Sequence, residues 1–497
     1  MHLPAFLAIL LIIIACCDAS CSLSRALGSH MVLQRDTPSA LWGFAAAGVR
    51  VNVTLRSLTY STTTDAFGVW RVVLPATPAT PVGSPGDALA IACSDGGTLA
   101  LDDVLWGDVL LASGQSNMCF TVQQAFNGSA EVAGSVSYPR VRVMVAAHVS
   151  AAEPAQDLGG WLQPWAHASP SSIGGGNFSY TSALGYFVSR GLYDALGGDV
   201  PVGLVVSCVS GTSLASWSSP AALARCPSVP VPGGGKPSVL WNGMLHPFTI
   251  GPLSLTAMLF YQGENDADNW VWYSCGFPAF IADVRAALGR PALPWSFALL
   301  SAWVKSGTGN LDHLPRTRLA QLLALSAPAT SMSAAYDLGD VSSPWPGHPR
   351  AKQPLAARML AGLLAGVYGA SLPATGPTYA ASVRTTSPAG SSLAVRIDFE
   401  PSSLAGGLQL RPTPACPPGV PTNMCEAFAL QTSDGVWRSA EAALSADGAS
   451  LVLSVGGDLP PALAANASRA MFSNWPLAAL YNGAGFPVVP WLEACQG

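Results

Sequence analysis

The alternation of apolar and polar positions changes character twice along the chain. Between about residues 30 and 100, Val49-Arg50-Val51-Asn52-Val53-Thr54-Leu55 alternates with period two, and Gly68-Val69-Trp70-Arg71-Val72-Val73-Leu74 nearly does. Half-buried strands have this pattern, and turn-rich Pro, Gly and Asp stretches separate the runs. Residues 20–100 are therefore expected to form a small antiparallel β domain.

Further on, the apolar runs become short and continuous: Val109 to Ala112, Val202 to Val206, Ala257 to Tyr261 and Phe297 to Leu300. Strands buried on both faces read this way. Helix-length segments lie between them, such as Ser182 to Leu196 and Ala279 to Leu288. The alternation predicts an α/β domain with a mostly parallel sheet over residues 101–372. Its last helix is expected from Pro349 to Tyr368, with Pro349 at the first helical position and Gly369 as the C-cap. Beyond about residue 375, Ser392 to Phe399 and Ser450 to Val455 alternate again, between Gly and Pro clusters. Residues 373–497 are expected to form a C-terminal β-sandwich. No internal repeat is visible.

The first residues carry a different signal. Leu3 to Cys17 is an apolar run of signal-peptide length, too short to span a bilayer, and Cys17-Asp18-Ala19 offers a small-residue cleavage site. Residues 1–19 read as a signal peptide, which directs the chain into the secretory pathway, secreted or lysosomal. No other segment is long and apolar enough for a membrane anchor, so no membrane association is expected after cleavage.

Secretion changes how the cysteines read. Of 11 in the sequence, Cys16 and Cys17 leave with the signal, and the odd remainder requires at least one unpaired thiol or an intermolecular bond. Cys416 with Cys425 and Cys226 with Cys275 are the pairs we expect. No Cys or His shows metal-ligand spacing, so no metal is expected. Sequons at Asn52, Asn127, Asn177 and Asn466 agree with secretion. Only 10% of residues are charged and the net charge is -5, which excludes a nucleic-acid partner for want of a basic surface. The sequence says nothing of oligomeric state.

Three places carry candidate chemistry. Val109-Leu110-Leu111-Ala112-Ser113-Gly114-Gln115-Ser116-Asn117-Met118 runs an apolar strand into a Gly-containing turn with a serine on it. Active sites in open α/β sheets lie at such strand ends, so Ser116 is a candidate nucleophile. Met118 departs from the G-x-S-x-G elbow, and a structural turn serine fits the same spacing. Phe260-Tyr261-Gln262-Gly263-Glu264-Asn265-Asp266 follows a second apolar run. The Asn265 amide there can donate to an oxyanion, although Asn/Asp-rich turns are common. Asp337-Leu338-Gly339-Asp340 precedes Gly347-His348-Pro349-Arg350, where His348 can take a serine proton. A lone histidine is more often structural.

In order, Ser116 in G-Q-S-N, Gly211 in S-G-T, Asn265 in G-E-N-D and His348 in H-P resemble the four blocks of the SGNH hydrolases. The wider stretches are similar to one branch, the sialate O-acetylesterases. These are His30 to Arg35, Gly107 to Met118, Leu240 to Pro247, Tyr261 to Asn265, Asp337 to Asp340 with His348-Pro349, and Asn474 to Pro487. The resemblance implies an SGNH-like fold and, without a cofactor, a serine esterase that removes O-acetyl groups from sialic acids. Ser116 would be the nucleophile and His348 the base. The N–H groups of Ser116 and Gly211 and the Asn265 amide would form the oxyanion hole. Gln115, Gln262, Glu264 and Arg350 are candidate substrate contacts, and Arg316, Arg318 and Arg350 are candidates for a sialate carboxylate.

Two departures from the family pattern stand out. Many SGNH enzymes have an Asp three residues before the His; here that residue is Trp345. Asp340 is the candidate orienting acid, with Asp337 and Glu264 as alternatives and a backbone carbonyl equally allowed. The second block, Val209-Ser210-Gly211-Thr212-Ser213-Leu214-Ala215, lacks the proline and acidic residue of that branch, which bears on sugar recognition at Ala215. Esterase action on other acetylated carbohydrates, or a catalytically silent carbohydrate-binding protein, remain as alternatives.

Overall fold

The computed structural model describes residues 21–227, 231, 235–304, 312–386, 393–457, 459–460 and 463–496. The expected signal peptide, with Cys16 and Cys17, lies outside them. The architecture is mixed α/β: a central, partly parallel sheet with antiparallel β sheets before and after it.

The strand Thr98–Gly114 joins the first two parts. Its opening residues alternate in exposure, and it pairs there antiparallel with Asp87–Cys93. From Val104 onward every residue is buried, because the strand has entered a sheet covered on both faces. The change is visible in the sequence, where T-L-A-L-D-D gives way to V-L-W-G-D-V-L-L-A. The junction between residues 100 and 101 therefore falls inside one unbroken strand. Upstream, Arg50–Leu55 buries Val51, Val53 and Leu55, and Val69–Leu74 buries Trp70, Val72 and Leu74, as period two requires.

In the central sheet the strand order is Trp161–His167, Val141–Ala146, Val202–Cys208, Thr98–Gly114, Ala257–Tyr261, Trp295–Ala298 and Thr330–Ser333. Only the first of these pairings is antiparallel. Alternate side chains feed two cores. Leu111, Met258, Phe260 and Phe297 meet Phe277 and Phe280 on one face. On the other, Leu110, Ala112, Leu204 and Leu259 meet Leu184, Val188, Met359 and Leu363.

Three helices cover these faces. Ala183–Ala195 starts at Ser182, whose Oγ accepts the Gly185 N–H at 3.1 Å. Trp270–Ala287 is longer than the expected Ala279 to Leu288. The helix continues through Pro278, because burying Trp272, Tyr273 and Phe277 outweighs the loss of one backbone bond. The last helix spans Lys352–Tyr368 and ends at Gly369, whose φ of 66° suits glycine. It starts at Lys352 and not at Pro349, because the Arg350 N–H turns toward Asp340 Oδ2 at 3.4 Å.

After residue 375, two four-stranded antiparallel sheets share one core. Val395, Ile397, Phe399, Leu451 and Leu453 from one meet Phe428, Leu430, Ala470 and Trp491 from the other. Disulfides join Cys226 to Cys275 and Cys416 to Cys425, the two pairs expected, and also Cys21 to Cys93 and Cys119 to Cys208. Cys495 is unpaired and buried, the odd thiol that the count required. Among the described residues no helix is long and apolar enough to cross a membrane.

Candidate active site

The end of Thr98–Gly114 meets the end of Ala257–Tyr261 at Gly114. A Cβ there would lie 2.1 Å from the Tyr261 carbonyl oxygen, so only glycine lets the two strand ends close up. The chain then turns through Gln115 into the short helix Ser116–Cys119. Ser116 thus stands at the carboxyl end of the central strand, at a helix start where N–H groups have no intrahelical acceptor.

His348 arrives from the loop before the last helix. Its Nε2 is 2.7 Å from Ser116 Oγ, and its Nδ1 is 2.8 Å from the Pro346 carbonyl oxygen. The loop is held by Ser343, whose Oγ bridges the carbonyl oxygens of Trp345 and His348 at 3.1 and 2.8 Å. Trp345, which replaces the expected acid, packs edge-on to Phe120 and Phe178, and the Phe178 ring lies 5.0 Å from the imidazole. Phe178 holds this position with φ of 54°, a strained value for a bulky residue, its N–H donating to Gln124 Oε1 at 3.1 Å. Burial, and then the charge of Lys352, pull His348 down to about 4, so the ring is neutral at pH 7 and able to accept a proton.

None of the three carboxylates considered as orienting acids reaches His348. Asp340 bonds Arg350 Nε at 2.7 Å and Ser342 Oγ at 2.8 Å. Against the effect of burial, the Arg350 contacts hold it down to about 2. Asp337 pairs with Arg358 at 2.7 Å through each oxygen. Glu264 accepts from Asn117 Nδ2 at 2.5 Å. The Pro346 carbonyl takes the place expected for Asp340, because each acid already has a cationic or amide partner at shorter reach.

A cavity of about 200 Å³ opens at this pair, lined by Gln115, Ser116, Gly211, Glu264, Asn265, Trp303, Pro346, Gly347 and His348. Gly211 has φ of 71°, and its N–H is in no hydrogen bond among the described residues. Thr212 fixes this turn, donating to Val209 O at 2.8 Å and accepting from Trp217 Nε1 at 2.9 Å. Asn265 is exposed to the cavity, and its backbone N–H is 3.4 Å from Gln115 Oε1. The structure thus brings together the four residues read from the four blocks.

The candidate substrate contacts divide. Glu264 contributes to the cavity wall with its Oε2 buried and unpartnered, and burial pushes its pKa above the ordinary carboxylate value, opposed by the Asn117 bond. Gln115 lines it too. Gln262 is fully buried behind the wall, donating to Asp266 Oδ2 at 2.5 Å and to Thr212 O at 3.1 Å, so it braces the site rather than facing it. The arginines are engaged elsewhere. Arg318 is fully buried on the carbonyl oxygens of Leu300, Ser301 and Ser473 at 2.7–2.9 Å, and burial pulls it down to about 9. Arg350 pairs with Asp340 and lies 4.5 Å from the Phe126 ring centre, while Arg316 lies over Trp270 at 5.0 Å. None of the three lines the cavity. Ala215 is buried as well, in the helix Leu214–Trp217.

Two groups of metal-ligand type form that sequence spacing does not show: Cys119, His148 and Cys208, and His30, Asp103 and His167. The first two cysteines are bonded to each other, and Arg142 Nη1 holds Asp103 Oδ2 at 2.8 Å alongside both imidazoles. Neither group contributes to the cavity lining. Sequence reasoning also passed over Asn117 and Lys352. Lys352 Nζ donates to Asn117 Oδ1 at 2.7 Å, on the residue next to Ser116.

Residues 107–343 match the model of a family described as carbohydrate esterase, sialic acid-specific acetylesterase. The chain is 35% identical to the sialate O-acetylesterase of Homo sapiens over 375 residues, covering 69% of this chain and 70% of that protein. With the sialate O-acetylesterase of Rattus norvegicus it is 34% identical over 400 residues, covering 69% and 72%. The crystal structure of a carbohydrate acetylesterase from Xanthomonas citri is similar at a TM-score of 0.79 and 27% identity. That likeness spans 95% of this chain and 99% of the other.

Proposed function

The chain belongs to the sialate O-acetylesterase family of carboxylic ester hydrolases, and on that premise we propose that it removes O-acetyl groups from sialic acids by way of an acetyl-enzyme on Ser116. The observation that carries the mechanism is the 2.7 Å contact of Ser116 Oγ with His348 Nε2 inside a cavity that Gly211 and Asn265 also line.

Ser116 Oγ attacks the acetyl carbonyl carbon while His348 Nε2 takes its proton. Pro346 O accepts the Nδ1–H, which leaves the Nε2 lone pair free for that proton and steadies the imidazolium that forms. The N–H groups of Ser116 and Gly211 and the Asn265 amide receive the negative oxygen. Collapse breaks the bond to the sugar oxygen, which leaves with the proton from His348. Water then repeats the sequence on the acetyl-serine and releases acetate. Gln115, which lines the cavity, is the side chain placed to meet a sugar hydroxyl, whereas Glu264 keeps its Oε2 shut off from solvent.

The same reading extends to the frame. Residues 101–372 form an SGNH-hydrolase-like unit with a mostly parallel sheet, between a β-rich unit at 20–100 and a β-sandwich at 373–497. Nucleophile, oxyanion turn and Asn265 each follow the carboxyl end of a neighbouring strand, which supports it. Four disulfides and sequon asparagines that are exposed or half-exposed support a secretory location, extracellular or lysosomal.

A second reading, hydrolysis of other acetylated carbohydrates, is favoured by one observation. None of the arginines suited to a sialate carboxylate lines the cavity. Acetate release from O-acetylated sialic acid and from acetylated xylan, measured in parallel with Ser116→Ala as control, separates the two. Serine-dependent release mainly from sialic acid is expected, release mainly from xylan selects the second reading, and equal turnover by Ser116→Ala removes the nucleophile assignment.

A further inference from the structure

Lys352 is fully buried at the first position of the helix Lys352–Tyr368, an arrangement that stability alone disfavours. Burial penalises the ammonium, and the helix start faces it with the positive end of the peptide dipoles. Among the described residues no carboxylate forms an ion pair with it. Its Nζ instead donates to Asn117 Oδ1 at 2.7 Å and sits 4.7 Å from the Phe120 ring centre and 5.5 Å from that of Tyr261.

Asn117 follows the nucleophile directly. A lysine ammonium can only donate, so in that form it fixes which end of the Asn117 amide is oxygen. The NH2 end is thereby turned to Glu264 Oε1 at 2.5 Å and to Gly347 O at 3.0 Å. Gly347 immediately precedes His348, and Pro346 before it holds the imidazole.

We propose that Lys352 is a positioning residue that, by locking the Asn117 amide, ties the turn carrying Ser116 to the segment carrying His348. This rests on the reading of Ser116 and His348 as nucleophile and base. The lysine also supplies a positive charge behind the imidazole. The other titratable groups facing the Lys352 ammonium are Glu264 after the strand Ala257–Tyr261, Tyr261 at its end, and His348 from the loop before the helix. Burial, opposed by Glu264, brings Lys352 down to about 7, and its charge in turn disfavours the imidazolium of His348.

Two variants separate anchoring from charge. Lys352→Met removes both, while Lys352→Gln keeps a donor for Asn117 Oδ1. Acetate release is measured against pH, with folding checked by circular dichroism and thermal unfolding. For Lys352→Met we expect kcat to fall about 10- to 100-fold with KM nearly unchanged, as misplacement of reacting groups does. Lys352→Gln recovers most of kcat, and in both variants the acid limb of kcat/KM moves to higher pH. Folded variants that match the wild type in kcat overturn the inference, as does a Lys352→Gln variant no more active than Lys352→Met. Should Lys352→Met not fold, Asn117→Leu removes the other half of the same lock, and a folded Asn117→Leu variant with wild-type kcat overturns the inference. Ser116→Ala keeps the two readings apart. If it is silent while both lysine variants behave as wild type, only the role of Lys352 fails; if it turns over normally, the nucleophile assignment fails first.

Discussion

His348 Nδ1 lies 2.8 Å from the carbonyl oxygen of Pro346, and no carboxylate stands in that position. A backbone carbonyl orients the ring without a charge of its own, so the acids nearby are dispensable for that task. Asp340 instead pairs with Arg350 at the rim. We expect Asp340→Asn to keep kcat/KM within about fivefold of wild type, since partly exposed ion pairs contribute little. A loss of several hundredfold, measured by acetate release on folded protein, would return the orienting role to Asp340.

Asn265 is solvent-exposed and lines the cavity together with Gly211. Donors of this kind act on the charge that develops during attack, not on the bound ester. Asn265→Ala is therefore expected to lower kcat by about 10²–10³-fold while KM changes little. A rise in KM with kcat intact would make Asn265 a binding residue instead.

The pH dependence follows from the state of His348. With His348 as the proposed base, catalysis needs the neutral ring in the free enzyme, and burial with Lys352 holds its pKa down to about 4. As pH falls, kcat/KM should stay level through the range where an ordinary imidazole titrates, near 6.5, and drop only near 4. Half-loss near pH 6.5 in a kcat/KM profile would mean that the ring is solvated in the working enzyme.

Which parts were legible in the sequence follows from what each residue's role depends on. Ser116 and His348 were legible because each stands where a regular element ends, and Gly114 because the turn requires it. Pro346 acts through its carbonyl oxygen, which no side-chain pattern reveals. Lys352 looks like an ordinary solvated residue on a helix, and only the fold, by bringing it to Asn117 across 235 positions, gives it a partner. The helical pattern is legible only from Ala279, just after Pro278, because the burial of Trp272 and Phe277 that carries the helix back to Trp270 is a tertiary effect. The strand Thr98–Gly114 is legible as a doubly buried strand only from Val109, since its first half obeys the alternating pattern of a different sheet.

Cys119 and Cys208 make the last connection worth testing. Cys119 ends the helix that begins with Ser116, and Cys208 ends the strand that leads to Gly211. Their bond therefore links the two backbone segments proposed to supply oxyanion N–H groups, across a loop of 89 residues. Closing a loop of that length stabilises the fold by about 4–5 kcal/mol through the unfolded chain. A double Cys119→Ser, Cys208→Ser variant should lose that stability in urea unfolding. If the bond also sets the spacing of the two N–H groups, kcat should fall at temperatures where the variant is still fully folded. Loss of stability with kcat unchanged would confine the disulfide to the fold and leave the oxyanion geometry to Thr212 and Gly114.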